Sequence, residues 1–468
     1  MSAVVAETAQ DAAARLRIAV PWEIYGQRLR RFEVYFDGQA IETSRGPILL
    51  EGAGLRVLRP LDGKTGVGFQ ATTDLSDDGL RSALSTAEAT ANTAVFPAAR
   101  AELPSHAARV AQGPEICSVG LWEHAEESVL AYIHELIEAF SVRADVRPSF
   151  GSLKATLSET SIMNSEGLST SYVSTEAELE LAVKAFGGPE GRPPGEYWVM
   201  REMRALDPAD IRTWGTAWSD RARDVRLAKS PPSGTLPVGL PAALLDQILP
   251  GALPLRFSGA GRLRQMGFEP GARVAAASVS IRQDPNVPWS TGSGPLDGEG
   301  SAAVSIPLIE RGAAGELLYD TLHAAAFDRR SNGAAFRRSA FGPRTWQQFA
   351  HRPQPAIGTL VVSSGDVRSE AELVEGIEEG VWVDQLGWPI PDAMSGSFGG
   401  EIRLGYRIHH GKLGEPVRGG TVGGLVFALA PTPSLLGGVR AAGARAELVG
   451  QTLTPALVVD GLSIASAA

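Results

Sequence analysis

Metal-assisted hydrolysis needs imidazole, thiolate or carboxylate donors held close together, and this 468-residue sequence offers few of the first two. Its histidines are His106, His124, His134, His323, His351, His409 and His410, and Cys117 is the lone thiol. The stretch from 135 to 322 therefore contains no histidine. His134 and Glu138 stand four residues apart, a spacing that places two donors on one helix face. The pattern lacks a second histidine, so an exposed helix face carrying acids and one histidine is the favoured reading over a metal site. His409-His410-Gly411 falls between Tyr406-Arg407-Ile408 and Leu413, where a hairpin has to turn. A turn tip is favoured there, with metal binding as the alternative.

Other chemistry is imitated without being completed. Gly63-Lys64-Thr65 looks like the end of a phosphate-binding loop, but Leu58 stands where the first glycine is required and a strand pattern follows. Ser395-Gly396-Ser397-Phe398-Gly399 approaches a nucleophile elbow, yet begins on serine and lacks the strand-to-helix setting. Trp198, Trp214 and Trp218 read as core packing. Trp382 and Trp388 flank a polar, glycine-bearing segment, where lining a groove and being buried stand as equal alternatives.

The elements that must position these residues can be read from periodicity. Phe32, Val34 and Phe36 alternate up to the turn pair Asp37-Gly38, which predicts a hairpin over 31–45. A second pair is predicted around Asp62-Gly63, joining Leu55 and Val57 to Val67 and Phe69. Ser76 or Asp77 caps a helix whose inner stripe is Leu80, Leu84, Ala87 and Ala91. Residues 123–142 predict a helix burying Val129, Ile133, Leu136, Ile137 and Phe140. The period then falls to two, giving strands over 153–162 and 168–185 joined through Asn164-Ser165-Glu166-Gly167. A glycine- and proline-rich loop over 187–195 precedes a helix over 208–227. Beyond Pro231-Pro232 the chain turns β-rich: a strand over 235–240, a short helix over 241–249, then strands between glycine turns.

The fold class is therefore α+β: an N-terminal hairpin and helix domain with long antiparallel strands, then a β-rich C-terminal domain. The predicted division is a disordered or helical extension over 1–20, a domain over 21–230 and a domain over 231–468. A formal charge of −10 gives no general attraction to nucleic acid or anionic membranes. No apolar run is long enough to span a bilayer and the first twenty residues lack a signal-peptide core, so a cytoplasmic location is expected. One cysteine rules out an intrachain disulfide.

Several local patterns occur in the order found in one family. Gly54-Leu55-Arg56-Val57, Gly68-Phe69, Thr73-Asp74-Leu75 and the turn Met163-Asn164-Ser165-Glu166-Gly167 lie in the first half. Pro295-Leu296-Asp297-Gly298-Glu299-Gly300, Ile306-Pro307-Leu308-Ile309-Glu310-Arg311-Gly312, Leu318-Tyr319-Asp320, Ser331-Asn332-Gly333 and Met394-Ser395-Gly396-Ser397-Phe398 follow in the second. Across roughly residues 25–465 the chain resembles the TldD/PmbA family, once called modulators of DNA gyrase, and within it the PmbA (TldE) branch.

The TldD branch holds zinc with His-Glu-x-x-x-His on a helix and a cysteine near the C-terminus. In the corresponding place Asp246 replaces the first histidine, Gln247 the glutamate and Gly251 the second histidine. Gln247 is neutral and cannot act as a general base, and Pro250 is expected to end such a helix early. The resemblance thus implies no catalytic residue, metal or cofactor in this chain, with zinc on a TldD-like paralogue. This subunit would then shape the chamber of a heterodimeric metalloprotease acting on unfolded or small peptides. Asp297, Glu299, Asn332, Ser395 and Gly396 are candidates for a substrate groove, and equally for turn and cap formers. Alternatives remain: a homodimeric enzyme of peptide or natural-product maturation with an unrecognised site, or a non-enzymatic, gyrase-modulating binding protein. The acidic balance argues against direct DNA contact.

Overall fold

Glycine at φ 56° lets residue 38 turn the chain back on itself, so that β1 (Trp22–Asp37) pairs antiparallel with β2 (Ala40–Leu61) from Asp37↔Ala40 to Trp22↔Val57. In this computed structural model the described residues are 19–98, 100–105, 113–141, 143–187, 193–338, 345–389, 391–429 and 433–466. The expected extension over 1–20 lies outside them up to residue 18, as do His106 and part of the loop over 187–195.

The second predicted hairpin shares its first strand with the first. β2 runs unbroken for 22 residues and turns at Gly63, φ 65°, into β3 (Lys64–Thr72). Ser76 accepts a hydrogen bond from the Gly79 N–H and caps the helix Asp77–Thr90, which buries Leu80, Leu84 and Ala87. β4 (Val95–Phe96) closes that edge against β3. On the other side β1 pairs with β5 (Val146–Asn164), β5 with β6 (Ser169–Ala185) and β6 with β7 (Gly195–Met203), all antiparallel. The sheet order is β4-β3-β2-β1-β5-β6-β7.

Alternation along β6 decides what covers this sheet. Ala177, Leu179, Leu181 and Val183 pack under the helices Ala125–Ser141 and Pro208–Leu227, against Val129, Ile133, Leu136, Phe140, Ile211 and Trp218. Residues of the other parity face the second half of the chain. There β8 (Gly234–Leu240) joins a 12-stranded mixed sheet built about the strand Thr452–Ala465. That strand pairs antiparallel with β8 and with Val439–Val449, and parallel with Leu360–Ser364.

The helix predicted over 241–249 is longer. It spans Ala242–Arg256 and passes through Pro250 and Pro254, so the expectation that Pro250 ends it is corrected. An interior proline disfavours a helix by about 3 kcal/mol. Burial of Leu244, Leu245, Ile248, Leu249, Leu253 and Leu255 opposes this at roughly 1.5–3 kcal/mol for each large apolar side chain. Packing wins.

A buried ion cluster fastens the two halves. Arg56 reaches Glu23 at 2.8 Å and Glu299 at 2.7 Å, Arg337 closes on Glu23, and none of the four side chains is more than 1% exposed. Glu299 also accepts from the Thr321 backbone N–H at 2.9 Å and hydroxyl at 2.8 Å. The fold is α+β, rich in strand in both halves. Among the described residues no helix is long and apolar enough to cross a membrane.

Candidate functional site

One stripe of the helix Ala242–Arg256 stays out of the core. Asp246, Gln247, Pro250, Gly251 and Pro254, at i, i+1, i+4, i+5 and i+8, line a groove of about 630 Å³ between the two sheets. Prolines on that stripe have a local consequence. Position 250 has no N–H to answer the Asp246 carbonyl, and position 254 none to answer that of Pro250.

The facing wall comes from β5, β6 and β7. Their register sets Ser152, Glu180 and Met200 in one cross-strand row and Lys154, Glu178 and Glu202 in the next. All six line the groove. The aromatic end is Trp198 against Trp388, ring centroids 5.1 Å apart at 46°. Trp388 sits at φ 49° and is 67% exposed.

Asp246 is half-buried, but its Oδ1 is shut off from solvent and has no hydrogen-bond partner. Burial pushes its pKa up to about 7 and nearby Glu202 adds to the rise, while Thr452, the Gln451 backbone and Arg201 pull the other way. Other charges here are engaged. Glu178 meets Arg31 at 3.4 Å. Arg201 lies over the Trp214 ring and reaches Glu447 at 3.7 Å. Glu180 has neither ion pair nor hydrogen bond among the described residues.

Asp246, Gln247 and Gly251 are thus brought together on the groove wall. As donors they are a carboxyl, a neutral amide and no side chain, a set that does not fit zinc. Among the described residues no group of three or more His, Cys, Asp or Glu side chains could hold a metal ion.

The other candidates lie elsewhere, and none lines this groove. Asp297 accepts from the N–H groups of Glu299, Ser301 and Ala335 at 3.0, 2.9 and 3.2 Å, and borders a separate polar cavity of about 90 Å³. Burial, with Glu299 beside it, holds its carboxyl well above the usual range. Glu299 belongs to the ion cluster. Asn332 accepts from the Tyr319 N–H and donates to the Leu317 carbonyl, each at 2.8 Å. Ser395 is exposed, its hydroxyl 2.7 Å from that of Ser397, and Gly396 turns at φ 73°. These are the hydrogen bonds of turn and cap formers.

Two aromatic assignments change or resolve. Trp214 and Trp218 stack at 5.4 Å on the helix side, but Trp198 projects from the opposite face of β7 and joins the groove. β7 itself was not anticipated, although the alternation of Tyr197, Val199 and Met203 with polar or exposed neighbours marks it. Trp388 lines the groove, whereas Trp382 packs against buried core residues. His134 is exposed on its helix. His410, at φ 48°, forms the turn tip beside Glu378, and His409 lies 3.2 Å from Glu379.

Comparison with known proteins agrees with this architecture. Residues 233–466 match the family model described as PmbA/TldA metallopeptidase C-terminal domain, and residues 22–91 match PmbA/TldA metallopeptidase domain 1. A metalloprotease TldD homolog of Buchnera aphidicola is 25% identical over 44% of this chain and 41% of its own length. One from Haemophilus influenzae is 25% identical over 42% and 39%. These matches span about two fifths of the curated relatives' length. TldE from Thermococcus kodakarensis superposes with a TM-score of 0.79 at 18% identity, covering 98% of this chain and 100% of that one. A Thermotoga maritima protein, titled as a candidate modulator of a DNA gyrase, gives 0.78 at 19%, covering 98% and 99%. At such identities these two likenesses bear on the fold alone.

Proposed function

The chain belongs to the PmbA/TldD metallopeptidase family, and from that premise we propose that it is the metal-free subunit of a heterodimeric protease for unfolded or small peptides. One observation carries the reading. The helix stripe that would present His-Glu-x-x-x-His presents Asp246, Gln247 and Gly251 to a groove of about 630 Å³ instead. The chain keeps a concave, largely apolar surface, flanked by an edge strand and tryptophans, without donors to activate water. Such a surface can hold an extended peptide while a TldD-like paralogue supplies zinc and the polarised water. When expressed alone the chain pairs with itself in a similar arrangement, since related folds present matching surfaces. The contact should exceed the roughly 1,200–2,000 Å² of a standard complex, because an enclosed chamber needs walls from both subunits.

Elemental analysis, light scattering and cleavage of an unstructured peptide test this, on the chain alone and co-expressed with a paralogue carrying His-Glu-x-x-x-His. Expected are a metal-free, inactive dimer alone and an active, zinc-loaded complex with the partner. Stoichiometric zinc with chelator-sensitive cleavage by the lone chain, or a strict monomer that ignores the paralogue, would overturn it.

A further inference from the structure

The groove is rich in acceptors and poor in free donors. Asp246 lines the groove, and its Oδ1 has no hydrogen-bond partner among the described residues. The two prolines deny the carbonyls of Asp246 and Pro250 their i+4 donor. Glu180 stands between Ser152 and Met200 in its row, with no ion pair among the described residues. Its cations are turned elsewhere: the Lys154 ammonium lies over Tyr35, Arg201 over Trp214, and Arg338 donates to the Ile357 carbonyl at 2.7 Å. Trp198 and Trp388 add π faces, which attract positive charge.

The complement of carboxylates and indole faces is a compact cation with several N–H donors. A metal ion is a poor match, since no three ligating side chains converge among the described residues. Building on the peptide-holding reading above, we infer that this groove selects an organic ammonium group, taken up between the Trp198–Trp388 pair and the acceptors of Asp246 and Glu180. A peptide can bring that group as its α-amino terminus or as a lysine side chain. This adds charge selectivity to a subunit otherwise described as a passive wall.

Calorimetric titration of the full chain tests it, with tryptophan fluorescence as a second readout. One pair of probes is tetra-alanine amide with a free and with an acetylated amino terminus. The other is an acetylated alanine peptide carrying one lysine, against its norleucine counterpart. In at least one pair the charged member should bind about tenfold tighter or more. The pair that shows the preference names the source of the ammonium. Asp246→Asn and Trp388→Ala should each remove most of that preference, read as the ratio of charged-probe to neutral-probe affinity within each variant. Trp388 is two-thirds exposed, so its variant does not threaten the fold. Equal binding of charged and neutral members overturns the inference and leaves the peptide-holding reading intact. Failure of every probe to bind overturns both.

Discussion

Asp246 holds a carboxyl whose pKa burial raises to about 7 from an ordinary value near 3.8. A raised folded-state pKa stabilises the protein fully below the unfolded value, and that contribution is lost as pH rises through the folded one. Between about pH 4 and pH 7 the unfolded chain ionises this carboxyl while the folded one keeps its proton, because a charge there would be buried beside Glu202 with Thr452, the Gln451 backbone and Arg201 in opposition. Asp246→Asn removes that difference. In urea unfolding the stability gap, variant over wild type, should widen between about pH 4 and pH 7 by on the order of a few kcal/mol and stay level above that. Parallel stability–pH curves would show that the carboxyl does not titrate in this range. Gln247 beside it is legible in the sequence as a neutral amide, which cannot act as a general base. Gln247→Glu should leave peptide cleavage at background with or without added zinc, because no ligand pair holds a metal-bound water for it to activate.

At the level of the element, the helix Ala242–Arg256 divides neighbouring residues between two environments. Ile248 is fully buried in the second-half core and Gln247 is exposed on the groove side. Ile248→Ala should destabilise by about 2–5 kcal/mol, and Gln247→Ala by no more than about 0.5 kcal/mol, in the same urea titration. Comparable losses at both positions would mean that the helix is rotated from the orientation described. The presence of this helix was legible from its apolar residues; its length was not. Local rules stop a helix at proline, and only the packing of Leu253 and Leu255 keeps the turn beyond Pro250 in place. β2 follows the same logic: two turn pairs were readable, but a single strand serving both hairpins depends on its neighbours β1 and β3.

For the whole molecule, the joint between halves rests on charges with no solvent to fall back on. Arg56 balances Glu23 and Glu299 at once. Arg56→Met would leave both carboxylates buried around a single remaining guanidinium, that of Arg337. The expected loss is about 3–5 kcal/mol in the unfolding midpoint analysis. Glu299, which the sequence offers equally as a groove candidate and as a turn or cap former, lies in the buried cluster that joins the two halves. Its motif was visible, but its partner Arg56 lies more than two hundred residues away.

Composition and local period by themselves determined the α+β class, the turns at Asp37-Gly38, Asp62-Gly63 and Asn164 to Gly167, the buried faces of the helices and the lack of histidine around Asp246. Those properties follow from backbone geometry and residue type within a few positions. Tertiary structure alone decided that Trp198 leaves the core for the groove, that the Asp246 Oδ1 loses its solvent, and that residues 23, 56, 299 and 337 meet in one buried cluster. Each depends on which faces of distant elements come together, and long-range packing sets this where no short-range periodicity records it.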